Sequence, residues 1–148
     1  MAYTSLLTHI VFSTKDRYPF LGVAVRPRVH QYLGGIVRNL KGTAITIGGV
    51  SDHVHLLVEL PPTVAISDAI RVIKSNSSGW IHDELQGLAS FHWQKKYAAF
   101  SVSKSNLGRV VKYIDGQEQH HRRPTFQDEL CALLFRHGMA IDERYLWL

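Results

Sequence analysis

The sequence predicts an α+β domain: a four-stranded antiparallel sheet with helices packed on one face and additional helices at the C-terminal end. Three observations carry that expectation. Strand-like and helix-like patterns alternate in the order strand, helix, strand, strand, helix, strand. The stretch Gly48-Gly49-Val50-Ser51-Asp52 separates two strand-like runs, as a tight hairpin turn requires. Apolar stripes at helical spacing recur between the strands and again after the fourth.

Residues 5–13 alternate, with Leu6, Thr8, Ile10 and Phe12 on one face and Leu7, His9 and Val11 on the other. Both faces are largely apolar, which places this strand at the centre of a sheet. His9 reads first as a packed histidine, with a place in a shared site as the alternative. A polar loop follows, in which Lys15 and Arg17 are candidate phosphate contacts. The first helix is expected over about 25–40, on the stripe Val29, Leu33, Ile36, Val37 and Leu40, with Gly42 as its stop. A strand over 43–49 then leads through the turn to the strand that ends at Pro61-Pro62.

The second helix, about 66–84, is buried through Ala69, Ile70, Ile73, Ser77, Trp80 and Ile81. Its polar side carries Arg71 and Lys74, candidate nucleic-acid contacts whose plainer reading is a solvated face. Phe91 and Trp93 plug the sheet or stack on bases. A fourth strand is expected over 97–103 and a third helix over 106–120, with Ser105 as its N-cap. Pro124-Thr125 open a fourth helix that Gly138 ends, and the aromatic tail from Asp142 is expected to pack down. The strand–helix order is the split pattern of ferredoxin-like, RRM-like domains. In that pattern the sheet face away from the first two helices is open to a ligand or partner.

Length and composition narrow the function classes. The 148 residues suit one domain, 1–148, and 45% hydrophobic with 20% charged residues is ordinary for a soluble protein. The formal charge of +5 favours an anionic partner, of which nucleic acid is the commonest. A single cysteine, Cys131, excludes an internal disulfide framework and any multi-cysteine zinc site; its apolar helical setting predicts a small buried side chain. The first residues lack a basic run followed by an apolar segment, and no apolar run approaches membrane-spanning length, so a cytoplasmic protein is expected. Nine histidines direct attention to metal or acid–base chemistry.

Two of those histidines, His53 and His55, are one residue apart in a strand and therefore share a face, while Val54, Leu56, Val58 and Leu60 take the other. On a helical wheel, Asn106, Arg109, Gln117 and His120 fall within about 40° of Tyr113. Tyr113 and Gln117 thus stand together at the border of the buried face. Two imidazole nitrogens and one amide oxygen make half a coordination shell, which suits Mg²⁺ or Mn²⁺ better than a closed structural zinc site. A metal open on one side polarises a phosphodiester, and a tyrosine one turn from a ligand can attack the phosphorus. Free tyrosine has a pKa near about 10 and needs activation, for which Arg109 or Lys112 is a nearby source of positive charge. His120, on the same stripe, is the alternative third ligand. Gly116, between Tyr113 and Gln117, weakens the helix by about 1 kcal/mol relative to alanine.

His53-Val54-His55 with Tyr113 and Gln117 resembles the HUH superfamily of single-tyrosine transposases, which serve the simplest insertion sequences. The resemblance covers essentially the whole chain. It includes His9-Ile-Val-Phe-Ser, Gly48-Gly-Val-Ser-Asp-His-Val-His-Leu-Leu-Val, Ile73-Lys-Ser, Ala99-Phe-Ser-Val-Ser, Tyr113-Ile-x-x-Gln and Asp142-Glu-Arg-Tyr-Leu-Trp. It implies a metal-dependent endonuclease and strand transferase that binds hairpins in single-stranded DNA at transposon ends. Tyr113 would be the nucleophile, forming a 5′-phosphotyrosine link that conserves bond energy without ATP. His53, His55 and Gln117 would hold Mg²⁺ or Mn²⁺, and the enzyme would be a homodimer. The alternative is a non-catalytic or domesticated single-stranded nucleic-acid-binding module on the same fold. A third reading is a metallohydrolase in which Tyr113 only positions water.

Overall fold

The computed structural model describes residues 2–142; the expected packing of the tail falls largely on residues 143–148, outside the described residues. Four strands form one sheet: β1 (Leu7–Ser13), β2 (Thr43–Val50), β3 (His53–Glu59) and β4 (Ala98–Ser101). Their order is β2-β3-β1-β4 and the pairs β2–β3, β3–β1 and β1–β4 are antiparallel. This is the ferredoxin-like arrangement. β1 and β3 are the inner strands, which is why both faces of β1 are apolar and all seven of its residues are buried.

Two helices cover the first face: α1 (Arg26–Asn39) and α2 (Ile66–Glu84). Val29, Leu33, Ile36 and Val37 of α1 and Ala69, Ile70, Ile73 and Ile81 of α2 pack on Ile10, Phe12, Val54, Leu56 and Val58 of the sheet. Phe91 and Trp93 close this core edge-on against each other and join it rather than the surface; Trp93 also stands edge-on to Phe12 and donates to Ser77 Oγ at 2.9 Å. Cys131 is half-buried.

The second face is not open as expected. It carries α3 (Leu107–Asp115), α4 (Gln117–His120) and α5 (Phe126–Arg136). Phe126, Leu130 and Leu133 of α5 form a second core with Val11 and Phe100. Thr125 caps α5 in a reciprocal box with Asp128, and Gly138 follows the helix with φ 68°, a conformation that suits glycine. The third helix is shorter than its apolar stripe suggests. It stops at Asp115, Gly116 takes a non-helical conformation, and a single further turn begins at Gln117. Its N-cap is Asn106, after a 3₁₀ turn over Lys104–Asn106, and not Ser105.

Three contacts fix α3 and α4 on the sheet. Thr46 Oγ1 donates to Asp115 Oδ1 at 2.6 Å, and Arg26 bridges Glu118 at 2.9 Å while its Nε donates to the Leu21 carbonyl. The third is a missing side chain: a Cβ on Gly48 would lie 2.4 Å from the Ile114 carbonyl oxygen. Gly48 is the cross-strand partner of His55, so glycine here lets the end of α3 settle directly beside the histidine strand. Gly48→Ala is expected to cost about 1–3 kcal/mol of stability and to displace α3 outward. Urea unfolding reads the first effect, and faster amide hydrogen exchange in α3 with the sheet intact by circular dichroism reads the second.

Candidate metal centre and its tyrosine

The histidine pair owes its orientation to neighbours in the sheet. β1 and β3 pair with Val11 opposite His55, so His9 lies diagonally across from His55 on the same face. His9 Nε2 is 2.8 Å from His55 Nδ1. Burial, and then the His55 ring, lower His9 to a pKa of about 3, so it is neutral. His9 is therefore both a packed residue and a support for the site. Asp52, the last residue of the hairpin turn, plays the same part for His53: its carboxylate lies 2.7 Å from Nδ1. A carboxylate only accepts, so the Nδ1 hydrogen of His53 is committed to it and Nε2 points into the site.

Both rings are fully buried. His53 Nε2 faces Gln117 Oε1 at 2.9 Å and Glu129 Oε1 at 3.1 Å; His55 Nε2 faces the same Glu129 oxygen at 2.9 Å. Gln117 Nε2 donates to Glu129 Oε2 at 2.8 Å, which fixes its amide with the oxygen toward His53. The Tyr113 hydroxyl donates to the same Oε2. The ring of Tyr113 stands edge-on to His55 with centroids 5.7 Å apart. All these side chains come from one chain.

The electrostatics say what the centre lacks. With Nδ1 held by Asp52, a neutral His53 would turn a lone pair toward two acceptor oxygens. Positive charge is needed between them. Burial alone would lower the His53 pKa, but hydrogen bonds to Asp52 and Glu129 raise it to about 9, so a proton fills that need. A divalent cation fits the same position, with imidazole nitrogens and amide and carboxylate oxygens as donors and Asp52 and His9 behind them. Burial would raise Glu129, yet His121, His53 and His55 hold it far below the ordinary carboxylate range. Burial and the Glu129 hydrogen bond push Tyr113 well above a normal phenol, so its proton stays on until Glu129 is neutralised or withdrawn.

The structure brings His53, His55, Tyr113 and Gln117 together. His120 stands on the other side of Glu129, its Nε2 3.5 Å from Oε2, and it is Gln117 that faces His53. Arg109 and Lys112 are exposed on the tyrosine helix, and Lys15 is exposed in the 3₁₀ turn Lys15–Arg17. Arg17 lines a groove with Lys96, Tyr97 and Phe126. Arg71 and Lys74 lie on α2, across the sheet from the histidines. Arg71 is exposed and 3.8 Å from Asp68, whereas Lys74 Nζ donates to the carbonyls of Gln94, Lys95 and Lys96 and lies over the Phe12 ring. Lys74 thus ties down the segment before β4.

Sequence reasoning missed Glu129 and the supporting role of Asp52. One signal existed for Glu129: it sits on the same helical stripe as Phe126, Leu130 and Leu133, where an uncompensated carboxylate is costly. A carboxylate on an apolar stripe announces a partner, but not which one. Asp52→Asn is expected to lower metal affinity about 10–100-fold, as loss of such a supporting carboxylate does elsewhere. Calorimetric titration with Mn²⁺ measures it.

A ferredoxin-like sheet thus carries a paired-histidine strand, with a tyrosine held beside that pair by a short helix. The chain matches the family described as IS200-like transposases over residues 2–117 and belongs to it. The ISDra2 transposase TnpA of Deinococcus radiodurans is 27% identical over 116 residues, covering 74% of this chain and 81% of that protein. The transposase for insertion sequence element IS200 of Salmonella typhimurium is 29% identical over 119 residues, covering 74% of each. In fold, a REP-associated tyrosine transposase, solved bound to a REP hairpin, superposes with a TM-score of 0.62 at 16% identity, covering 96% of this chain and 93% of the other. The family match ends at Gln117, so His120, His121 and Glu129 lie beyond it.

Proposed function

We propose that this transposase cleaves and rejoins single-stranded DNA at insertion-sequence ends, recognised as hairpins, through a 5′-phosphotyrosine intermediate on Tyr113. The observation that carries the proposal is the Tyr113 hydroxyl, which shares one carboxylate, Glu129, with the His53–His55–Gln117 donor set. His53, His55 and Gln117, joined by Glu129, would hold the cation, Mg²⁺ or Mn²⁺. When bound, it supplies positive charge to a phosphodiester oxygen.

The chain's own residues do the rest. Asp52 and His9 hold the imidazoles in orientation. Gly48 and the Thr46–Asp115 bond keep α3 against the sheet, so the phenol is aimed from a rigid element. Glu129 Oε2 is the acceptor closest to the phenolic proton that has to leave. As the phenolic oxygen bonds to phosphorus, the bond to the 3′-oxygen breaks and that oxygen leaves with a proton as a 3′-hydroxyl. Attack of a 3′-hydroxyl on a phosphotyrosine reverses the step and rejoins strands without ATP.

The test is a labelled single-stranded hairpin carrying the end sequence, incubated with Mg²⁺ or Mn²⁺ and then denatured. A covalent protein–DNA adduct is expected. Binding without an adduct would instead mark a non-catalytic binding module. The exposed cations Arg109 and Lys112 of the tyrosine helix, with Lys15 in the turn after β1, are the proposed phosphate contacts. Affinity is then expected to fall steeply with salt, with a log–log slope of about −0.7 per phosphate contact. A flat dependence in a salt titration would count against DNA as the partner.

A homodimer is proposed from the family resemblance, and sedimentation would show a doubled mass. Among the described residues no helix is long and apolar enough to cross a membrane. Action on DNA places the proposed activity in the cytoplasm.

A further inference from the structure

Beyond the His53–His55 pair, two more histidines converge on Glu129, His121 at the oxygen that His53 and His55 face and His120 at the other. His121 Nε2 is 3.0 Å from Oε1 and His120 Nε2 is 3.5 Å from Oε2. Both nitrogens are buried and, among the described residues, have no polar partner besides Glu129. The His121 tautomer is fixed by geometry: Nδ1 lies 2.8 Å from the Pro124 carbonyl, which can only accept. Its Nε2 is therefore the ring nitrogen turned toward the carboxylate oxygen. A carboxylate has no hydrogen to give, so positive charge, a proton or a cation, has to lie between Nε2 and Oε1. The same arrangement holds at His53 Nε2.

We propose that His120, His121 and Glu129 form a second divalent-cation site, with Glu129 bridging it to the first. The donor atoms of His120, His121 and Glu129 lie within 4.8 Å of one another, as do those of His53, His55 and Glu129. Two imidazoles and a carboxylate suit a first-row cation such as Mn²⁺, Co²⁺ or Zn²⁺. His120 is partly exposed, so the cluster lies near the surface. The local structure is built for it. The capping box at Thr125 and the anchors Phe126, Leu130 and Leu133 hold Glu129 on the sheet side of α5. The Pro124 carbonyl orients His121 from the turn just before. Glu129 Oε2 also receives the Tyr113 hydroxyl, so a cation on this side would lie next to the phenol. Paired cations sharing a bridging ligand are a recurrent device for in-line displacement at phosphorus.

The proposal rests on the first-site reading only through the shared carboxylate, and metal stoichiometry separates the two. Tag-free full-length protein is titrated with Mn²⁺ by calorimetry, and the loaded sample is examined by electron paramagnetic resonance. Two equivalents and a spin-coupled Mn²⁺ pair are expected. His121→Ala should remove one equivalent and the coupling while leaving the other, and His53→Ala should remove the opposite one. His120→Ala, at a partly exposed position, should weaken the second equivalent at least tenfold and serves if His121→Ala fails to fold by circular dichroism. One equivalent in the wild type, lost in His53→Ala and unaffected by His121→Ala or His120→Ala, overturns the second site and leaves the first standing. No bound equivalent overturns both.

Discussion

Tyr113→Phe protein is expected to bind its hairpin DNA with wild-type affinity and to leave no covalent adduct. The substitution removes one oxygen. The ring keeps its edge-on packing against His55 and His9, and Glu129 retains Gln117 and the histidines as partners. Stability should therefore change by no more than about 1–2 kcal/mol, the range for one hydrogen bond. Chemistry should change far more. Without a nucleophilic oxygen no phosphotyrosine forms, and strand cleavage should drop by at least about 10³-fold. A denaturing gel on labelled DNA reads both results at once. Cleavage that persists in Tyr113→Phe would sink the covalent mechanism and point to a hydrolase in which the tyrosine positions water.

His53→Ala and His55→Ala are expected to be the next most severe changes. Each is fully buried, and each Nε2 faces Glu129 Oε1. Losing either ring leaves Asp52 or His9 without its partner and removes a proposed metal donor. The fold should lose about 1–3 kcal/mol, the cost of a buried group left unsatisfied. Cleavage should fall at least about 10³-fold, because positive charge at the phosphodiester goes with the metal. Hairpin binding should be largely unchanged, since neither ring reaches the surface. Thermal unfolding, Mn²⁺ titration and a gel shift on the same samples distinguish a lost site from a lost fold. Collapse of the fold would make the histidines structural.

Much of this molecule is legible before any coordinates. The hairpin turn, the alternation along β3 and the stripes of α1 and α2 are short-range patterns, and the elements form where those patterns lie. The common face of His53 and His55 follows from strand geometry alone, and helical angles place Tyr113 and Gln117 together. The break at Gly116 does not destroy that pairing: Gln117 opens the next turn and its amide still reaches His53. The second sheet face was misread because a stripe on α5 shows that the helix buries a side, but not against what.

Sequence alone determined the sheet order's class, the paired imidazoles, the tyrosine and its amide neighbour, because each depends on spacing within one element or on a recognisable run of residues. Tertiary structure alone decided where α3, α4 and α5 dock, and with them the role of Glu129. That carboxylate is 74 residues from His55 in the chain and touches it only because α5 folds back over the sheet. Gly48 belongs to the same category: the absence of its side chain acquires meaning only when the Ile114 carbonyl settles against it. Local periodicity records which side of an element is buried, and the identity of the partner across the gap is set by packing between elements distant in sequence.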